Sequence, residues 1–430
     1  MSSLASFCLK SGESEWNASV PADQLLKIAD KQRFNRICYV GAYFAEKLAN
    51  SYAALKVKDA AVRSGKALII CDDLTRPTPT SEILPILSFF LKDAGVAYCD
   101  QMILFATGSH RPMTEDEARQ KIGGRLWGKV KWASHDWNAQ LARIGETKSG
   151  IPIDINPLLL DYSCIIGIGS VFPHRYCGWS GGGKIILPGV SGPKSISRTH
   201  WMPYYDRSIY LGSKENSAIS DILSAAGSAG LSLLVQCVCD GSGNTNDIII
   251  GEPAEAHREA IAKAESVMKV TVPEADVVIA QAWPEDGDLW QACKALYSAE
   301  NVVSRGGHII VAASLREGIG PNKSYAELMN ASLEDILGFI DRDDSEGLSA
   351  AAAYVTHLVR MKASVSFVTD SRFSSEISSV TGLGLYSGMQ DAVNCMLKRK
   401  SGATFSVLKE APLLLPVAER RCNEKSQYEQ

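Results

Sequence analysis

No CxxC pair occurs among the 11 cysteines of the chain. Cys237 and Cys239, the nearest two, stand two apart, so on one strand they point the same way. A disulfide scaffold and a zinc ribbon are excluded, and the usage is that of a reducing cytoplasm, where buried Cys is a small apolar residue. No apolar run is long enough to cross a membrane, which takes about 18 residues. The opening MSSLASFCLKSGESEW has no signal-peptide core. No block of five like charges appears: 44 Lys and Arg face 48 Asp and Glu, for a net charge of -4, which argues against a nucleic-acid partner. With 46% hydrophobic residues the chain is not a disordered one. Repeats and low-complexity segments are missing, and only the polar stretch 420–430 is expected to fray.

What is present is alternation. Short apolar runs at 66–71 (KALIIC), 102–106 (MILFA), 163–168 (SCIIGI), 231–238 (LSLLVQCV), 275–280 (ADVVIA), 308–312 (HIIVA) and 365–368 (VSFV) are separated by amphipathic helical patterns such as 80–94 and 253–267. Continuous apolar strands between helices predict an α/β fold, with largely parallel sheets covered on both faces. The 430 residues suit two such domains. The boundary is placed near 270, giving an N-terminal domain 1–270 and a C-terminal domain 271–430. The polar, Trp-bearing region 129–154 reads as an insertion with antiparallel character.

Ligands of open parallel sheets sit beyond the carboxyl ends of the strands, and three consecutive strand ends here are rich in polar groups. The first continues as Asp72-Asp73-Leu74-Thr75-Arg76-Pro77, the second as Thr107-Gly108-Ser109-His110-Arg111, the third as Pro173-His174 and then Gly178-Trp179-Ser180-Gly181-Gly182-Gly183-Lys184. Gly178 to Lys184 fits GxxxxGK, but Ile185 stands where a phosphate-binding loop needs Ser or Thr for magnesium. An ATPase is therefore disfavoured, and Lys184 is left as a candidate nucleophile. His110, His174 and His200 lie near loop or helix ends. They could together hold a zinc ion for hydrolysis, or divide into one metal ligand and an acid–base pair; no HxH or HxxxH pair supports the zinc reading. His135, His257, His308 and His357 read as solvated or packed. In the second domain Asp288 is a helix cap, and Gln291 and Lys294, three apart, share a helix face.

Taken in order, these motifs resemble the nickel-dependent lactate racemases, the nickel-pincer nucleotide racemases and epimerases of 2-hydroxy acids. The resemblance spans residues 72–294. It implies a two-domain α/β protein with its active site in the interdomain cleft. It also implies a cofactor, a pyridinium-3-thioamide-5-thiocarboxylate mononucleotide carrying nickel, tethered covalently to Lys184, with His200 as the protein ligand to the metal. Asp73, Thr75, Ser180 and the backbone of Gly181, Gly182 and Gly183 would contact the nucleotide. His110 and His174 would each serve one enantiomer as acid and base while hydride leaves C2 and returns. Arg76 and Lys294 would grip the substrate carboxylate, with Gln291 and Trp290 shaping the pocket. The implied partners are the 2-hydroxy acid and the proteins that make the cofactor, without which the chain would be produced as apoprotein. Trp179, Gly183 and Trp290 depart from the family's usual residues and bear on which hydroxy acid fits. Lactate, malate, longer aliphatic acids and sugar acids stay open, as does the oligomeric state. A catalytically inactive hydroxy-acid-binding protein of this fold is the non-enzyme alternative.

Overall fold

The computed structural model describes residues 3–11, 14–31 and 34–419; the polar tail expected to fray lies outside them. The described residues form two compact units.

One unit takes in Arg33–Val267 and Gly338–Ala351. Its six-stranded sheet runs, edge to edge, Thr245–Gly251, Leu231–Cys239, Ile165–Ser170, Ala67–Asp72, Gln101–Ala106 and Lys131–Ser134. All neighbours are parallel except the first pair. Every residue of Ala67–Asp72 is buried, which is why this strand reads as an unbroken apolar run rather than an alternating one. Ile69, Cys71, Phe105, Ile166 and Ile168 share one core with Phe44, Val57, Ile83 and Leu87 of the covering helices. The helix Thr80–Asp93 buries Ile83, Leu84, Leu87 and Leu91, one stripe at helical spacing. Glu115–Ile122 starts from a Thr114/Glu117 capping box, in which each side chain bonds the other's backbone N–H. In the region expected to be an antiparallel insertion, Ala142–Glu146 and Pro152–Ile155 do form an antiparallel pair, but Lys131–Ser134 extends the main sheet in parallel.

The other unit contains the described residues within Met1–Gln32, Met268–Leu337 and Ala352–Gln430. Its six-stranded sheet, all parallel, runs Gly384–Tyr386, Ser364–Val368, Val303–Ala312, Ala275–Gln281, Phe405–Leu408 and Leu25–Ala29. The beginning of the chain therefore lies here and not in the N-terminal domain drawn at 1–270. Leu25–Ala29 pairs with Phe405–Leu408, and the hairpin Leu4–Ser11/Ser14–Pro21 places Phe7, Leu9, Trp16 and Val20 in this unit's core beside Val393 and Met396. Conversely, 338–351 belongs with the first unit: Ser197 donates to the Arg342 carbonyl at 2.9 Å, and Trp201 Nε1 donates to the Gly347 carbonyl at 3.0 Å. Both exchanges rest on pairings between residues more than a hundred positions apart, which no local pattern reveals.

Among the described residues no helix is long and apolar enough to cross a membrane. Phe405 is fully buried, whereas Phe89 is 59% exposed. Phe405→Ala is expected to cost about 3–5 kcal/mol in urea unfolding, and Phe89→Ala to stay within about 0.5 kcal/mol.

Candidate active site

The strand Ala67–Asp72 ends in two carboxylates that face different partners. Asp72, 8% exposed, accepts from Lys121 Nζ at 3.0 Å, from the Ser170 N–H at 3.2 Å and from the Thr78 hydroxyl. Lys121 also donates to the carbonyls of Arg76 and Thr78, at 3.2 and 3.4 Å. A buried pair of this kind is stable only because its remaining donors and acceptors are met, and in being met it pins the loop after the first strand. Asp73, 5% exposed, turns to the site: Oδ2 accepts from His110 Nδ1 at 2.7 Å, and Oδ1 accepts from Thr75 N at 3.0 Å and from its hydroxyl at 2.5 Å. Burial favours the neutral acid, but His110, Arg76 and the Thr75 hydroxyl outweigh it and hold Asp73 well below the usual carboxylate range. With Nδ1–H donated to Asp73, a neutral His110 carries its lone pair on Nε2, the arrangement of an oriented base.

The third strand end supplies a second histidine, a thiol and an amine. His174 Nδ1 accepts from the Tyr176 N–H at 3.3 Å and lies 3.4 Å from Cys177 Sγ; its Nε2 is 3.5 Å from Lys184 Nζ. Burial pushes the Lys184 amine below the ordinary lysine value; Cys177 opposes the shift and the Arg76 charge adds to it. Burial likewise raises the Cys177 thiol. Arg76 lies over the Phe172 ring, 5.2 Å from its centroid. His200, on the helix Pro193–Tyr205, donates from Nδ1 to the Ile196 carbonyl at 2.8 Å, which leaves the lone pair of the neutral ring on Nε2. The Tyr176 ring stands between the two imidazoles, 4.7 Å from His200 and 5.7 Å from His174 by centroid.

The glycine loop is shaped by what lies beneath it. Gly181 and Gly182 have φ of +76° and +60°; a Cβ on Gly182 would come within 2.5 Å of the His257 ring. His257 is buried, donates from Nε2 to the Ser180 carbonyl at 3.0 Å, and is held below the ordinary histidine value by burial. The Gly182 N–H donates to Gln236 Oε1 at 2.6 Å, and the Ser180 hydroxyl donates to the Ser170 carbonyl at 3.1 Å while accepting the Phe172 N–H at 2.9 Å. The donors of Gly182 and Ser180 are thus engaged within the protein and serve the shape of the loop, whereas both residues were expected to contact a nucleotide. Gly183 packs on the helix Ser217–Ser228, where a Cβ would meet the Ile222 carbonyl at 2.7 Å.

On the other unit Asp288 caps the helix Leu289–Ala292 by accepting the Gln291 N–H at 2.9 Å. Lys294 Nζ donates to Gln291 Oε1 at 2.5 Å and to the buried carboxylate of Glu285. Trp290 meets Tyr325 edge to face, with centroids 4.9 Å apart.

The first unit thus gathers Asp73, Thr75, Arg76, His110, His174, Lys184 and His200 on its strand ends and the following helix; Trp290, Gln291 and Lys294 form a group of their own on the second. Lys121, Tyr176, Cys177, Gln236 and Glu285 were not foreseen. One of them had a signal: Gln236 is the polar residue inside the apolar run LSLLVQCV. His135, His257 and His308 are packed, with ring nitrogens bonded to Ser191, Ser180 and Ser366. Among the described residues no group of three His, Cys, Asp or Glu side chains is placed to hold a metal ion, so the three-histidine hydrolase finds no support.

An oriented histidine and an amine of lowered basicity at the ends of a parallel sheet define an α/β enzyme. Residues 11–210 match the lactate racemase N-terminal domain and residues 270–407 the lactate racemase C-terminal domain. The chain is 30% identical to a lactate racemase of Thermoanaerobacterium thermosaccharolyticum over 65% of this chain and 66% of that protein, just under two thirds of its length. It is 28% identical to a lactate racemase of Lactiplantibacillus plantarum over 69% of this chain and 71% of that one. The solved lactate racemase apoprotein of T. thermosaccharolyticum superposes with a TM-score of 0.84, at 23% identity, covering 96% of this chain and 100% of that one. A structural-genomics protein of Thermotoga maritima gives 0.67 at 19% identity, covering 85% and 98%. At these identities the two structures speak to the fold. The chain belongs to the lactate racemase family.

Lys121→Met leaves Asp72 buried without its cation and is expected to cost about 3–5 kcal/mol in urea unfolding; adding Asp72→Asn to that variant should restore part of the loss.

Proposed function

We propose that the chain inverts the configuration at C2 of a 2-hydroxy acid. The observation that carries this reading is the pair of imidazoles after the two strands that flank Ala67–Asp72: His110, held by Asp73, and His174, held by the Tyr176 N–H and set beside Lys184. Inversion through a planar 2-keto acid needs the hydroxyl proton removed as the C2 hydrogen departs and restored on return. A base for each enantiomer meets that need, and imidazole titrates in the right range. His110, with its lone pair directed by Asp73, serves one enantiomer and His174 the other. Arg76 binds the substrate carboxylate, for which a guanidinium offers a two-pronged match. Gln291 and Lys294 orient the substrate, and Trp290, held against Tyr325, bounds the space around its C3 substituent.

The residues fit the nickel-pincer nucleotide of the family. Lys184 is a weakened base suited to acylation, and His200 has its Nε2 lone pair set for a soft divalent metal by the Nδ1–Ile196 bond. When bound, that group supplies the acceptor for the C2 hydrogen. Lys184 anchors it, His200 ligates the nickel, and the loop Ser180–Gly183 shapes its seat. Asp73 and Thr75 act here through His110. Proteins that synthesise the nucleotide are then required partners, and malate, longer aliphatic acids and sugar acids stand beside lactate as substrates.

Protein co-produced with the cofactor-synthesis enzymes tests the reading. Peptide mapping should find the added mass on the Lys184 peptide, and elemental analysis should show nickel lost in His200→Ala but kept in His135→Ala. An adduct elsewhere, or equal nickel in both variants, overturns the assignments. His110→Ala and His174→Ala should each reduce turnover of both enantiomers by about 10²–10⁴ while keeping nickel and the adduct. Near-normal racemisation in either variant would reject the two-base scheme. Asp73→Asn, which leaves His110 without its orienting carboxylate, should lower turnover by a similar factor, about 10²–10⁴, with nickel content unchanged.

A further inference from the structure

The groups around Lys184 determine its charge. The Tyr176 backbone N–H can only donate, and it donates to His174 Nδ1. The lone pair of a neutral His174 is therefore on Nδ1 and the ring proton on Nε2, the atom facing Lys184 Nζ at 3.5 Å. An ammonium, which has donors alone, finds no acceptor there, whereas a neutral amine offers its lone pair to that N–H. The titratable and charged groups acting on the amine are His174, Cys177, Arg76 and His257. None supplies a negative charge at neutral pH: burial raises the Cys177 thiol and keeps His257 neutral, and Arg76 is a cation. Among the described residues Lys184 has no carboxylate partner.

We propose that His174 also holds Lys184 as a neutral amine, so that the protein without cofactor presents a nucleophile ready for an activated carboxyl or thiocarboxyl donor. This makes attachment a reaction of the chain's own site and makes His174 a positioning residue for it. In the step, the amine nitrogen bonds to the acyl carbon, the bond from that carbon to the leaving group breaks, and the proton released from nitrogen departs with the leaving group. Once acylated, the nitrogen has no basic lone pair for the Nε2 proton. His174 is then released from the amine. The inference rests on Lys184 being the anchor.

The test uses apoprotein and the succinimidyl ester of nicotinic acid, from about pH 6 to pH 9, with acylation of Lys184 and of exposed Lys131 followed by peptide mass spectrometry. In the wild type the Lys184 rate should reach its plateau at lower pH than that of Lys131. His174→Glu places a carboxylate at the amine and favours the ammonium. Its Lys184 rate near pH 7 should fall by about tenfold or more, and recover at higher pH, which a misfolded site would not do. Lys184 that titrates like Lys131, resists acylation throughout, or keeps its wild-type profile in His174→Glu overturns the proposal. If the amine behaves as expected but the nucleotide of loaded protein maps to another residue, the anchor assignment fails and the charge state stands.

Discussion

Two adjacent carboxylates at one strand end, serving opposite purposes, hold the arrangement together. Side chains alternate across a strand, and at the end of Ala67–Asp72 this sends Asp72 to Lys121, Thr78 and the Ser170 N–H, while Asp73 goes to Thr75 and His110. Asp72 thereby ties three pieces of chain to one point: its own loop, the helix Glu115–Ile122 and the end of the neighbouring strand Ile165–Ser170. An isolated buried carboxylate would neutralise itself by taking up a proton. Lys121, the Thr78 hydroxyl and the Ser170 N–H all bond its oxygens, and the loop that carries Asp73 and Arg76 is fixed as a result. The orientation of His110 thus depends on an ion pair that touches no ligand itself.

The same reasoning explains why the glycine loop is built as it is. Its positive φ values and its contacts with His257, Gln236 and Ile222 leave no room for side chains at Gly181, Gly182 and Gly183. The loop packs downward onto protein and so lifts Lys184 to the His174 side. In a phosphate-binding loop the backbone amides point at the ligand; here the Gly182 amide points at Gln236. Glycine spacing alone does not distinguish the two uses. The distinguishing residue is a distant one, the glutamine in the middle of a buried strand.

This separates what was legible in the sequence from what was not. The parallel sheets were readable because strands covered on both faces are apolar over most of their length, as 67–71 and 277–280 are. The polar strand ends followed from the same pattern, since a buried sheet can expose function only where its strands stop. Placing Leu25–Ala29 in the second sheet required knowing its pairing with Phe405–Leu408, a contact set by global topology and not by local pattern. Lys121 was hidden for a related reason: in EDEARQKI it looks like one charge among several on a solvated helix, and only the fold turns it inward.

The two cations assigned to the substrate carboxylate are not equivalent. Lys294 is already matched by the buried carboxylate of Glu285, so an incoming anion competes with an existing ion pair. It gains less there than from an unmatched ammonium in the same position. Arg76 lies over the Phe172 ring, 5.2 Å from its centroid, and a guanidinium is the side chain that can meet a carboxylate with two parallel bonds. Arg76 also sits close enough to Lys184 and Asp73 to act on both. Under the proposed reaction it is the better of the two groups for the substrate carboxylate, and its charge also acts on Lys184. Lys294, Glu285 and Gln291 form a nearly neutral set of donors and acceptors, which suits hydrogen bonding to a hydroxyl group better than holding an anion.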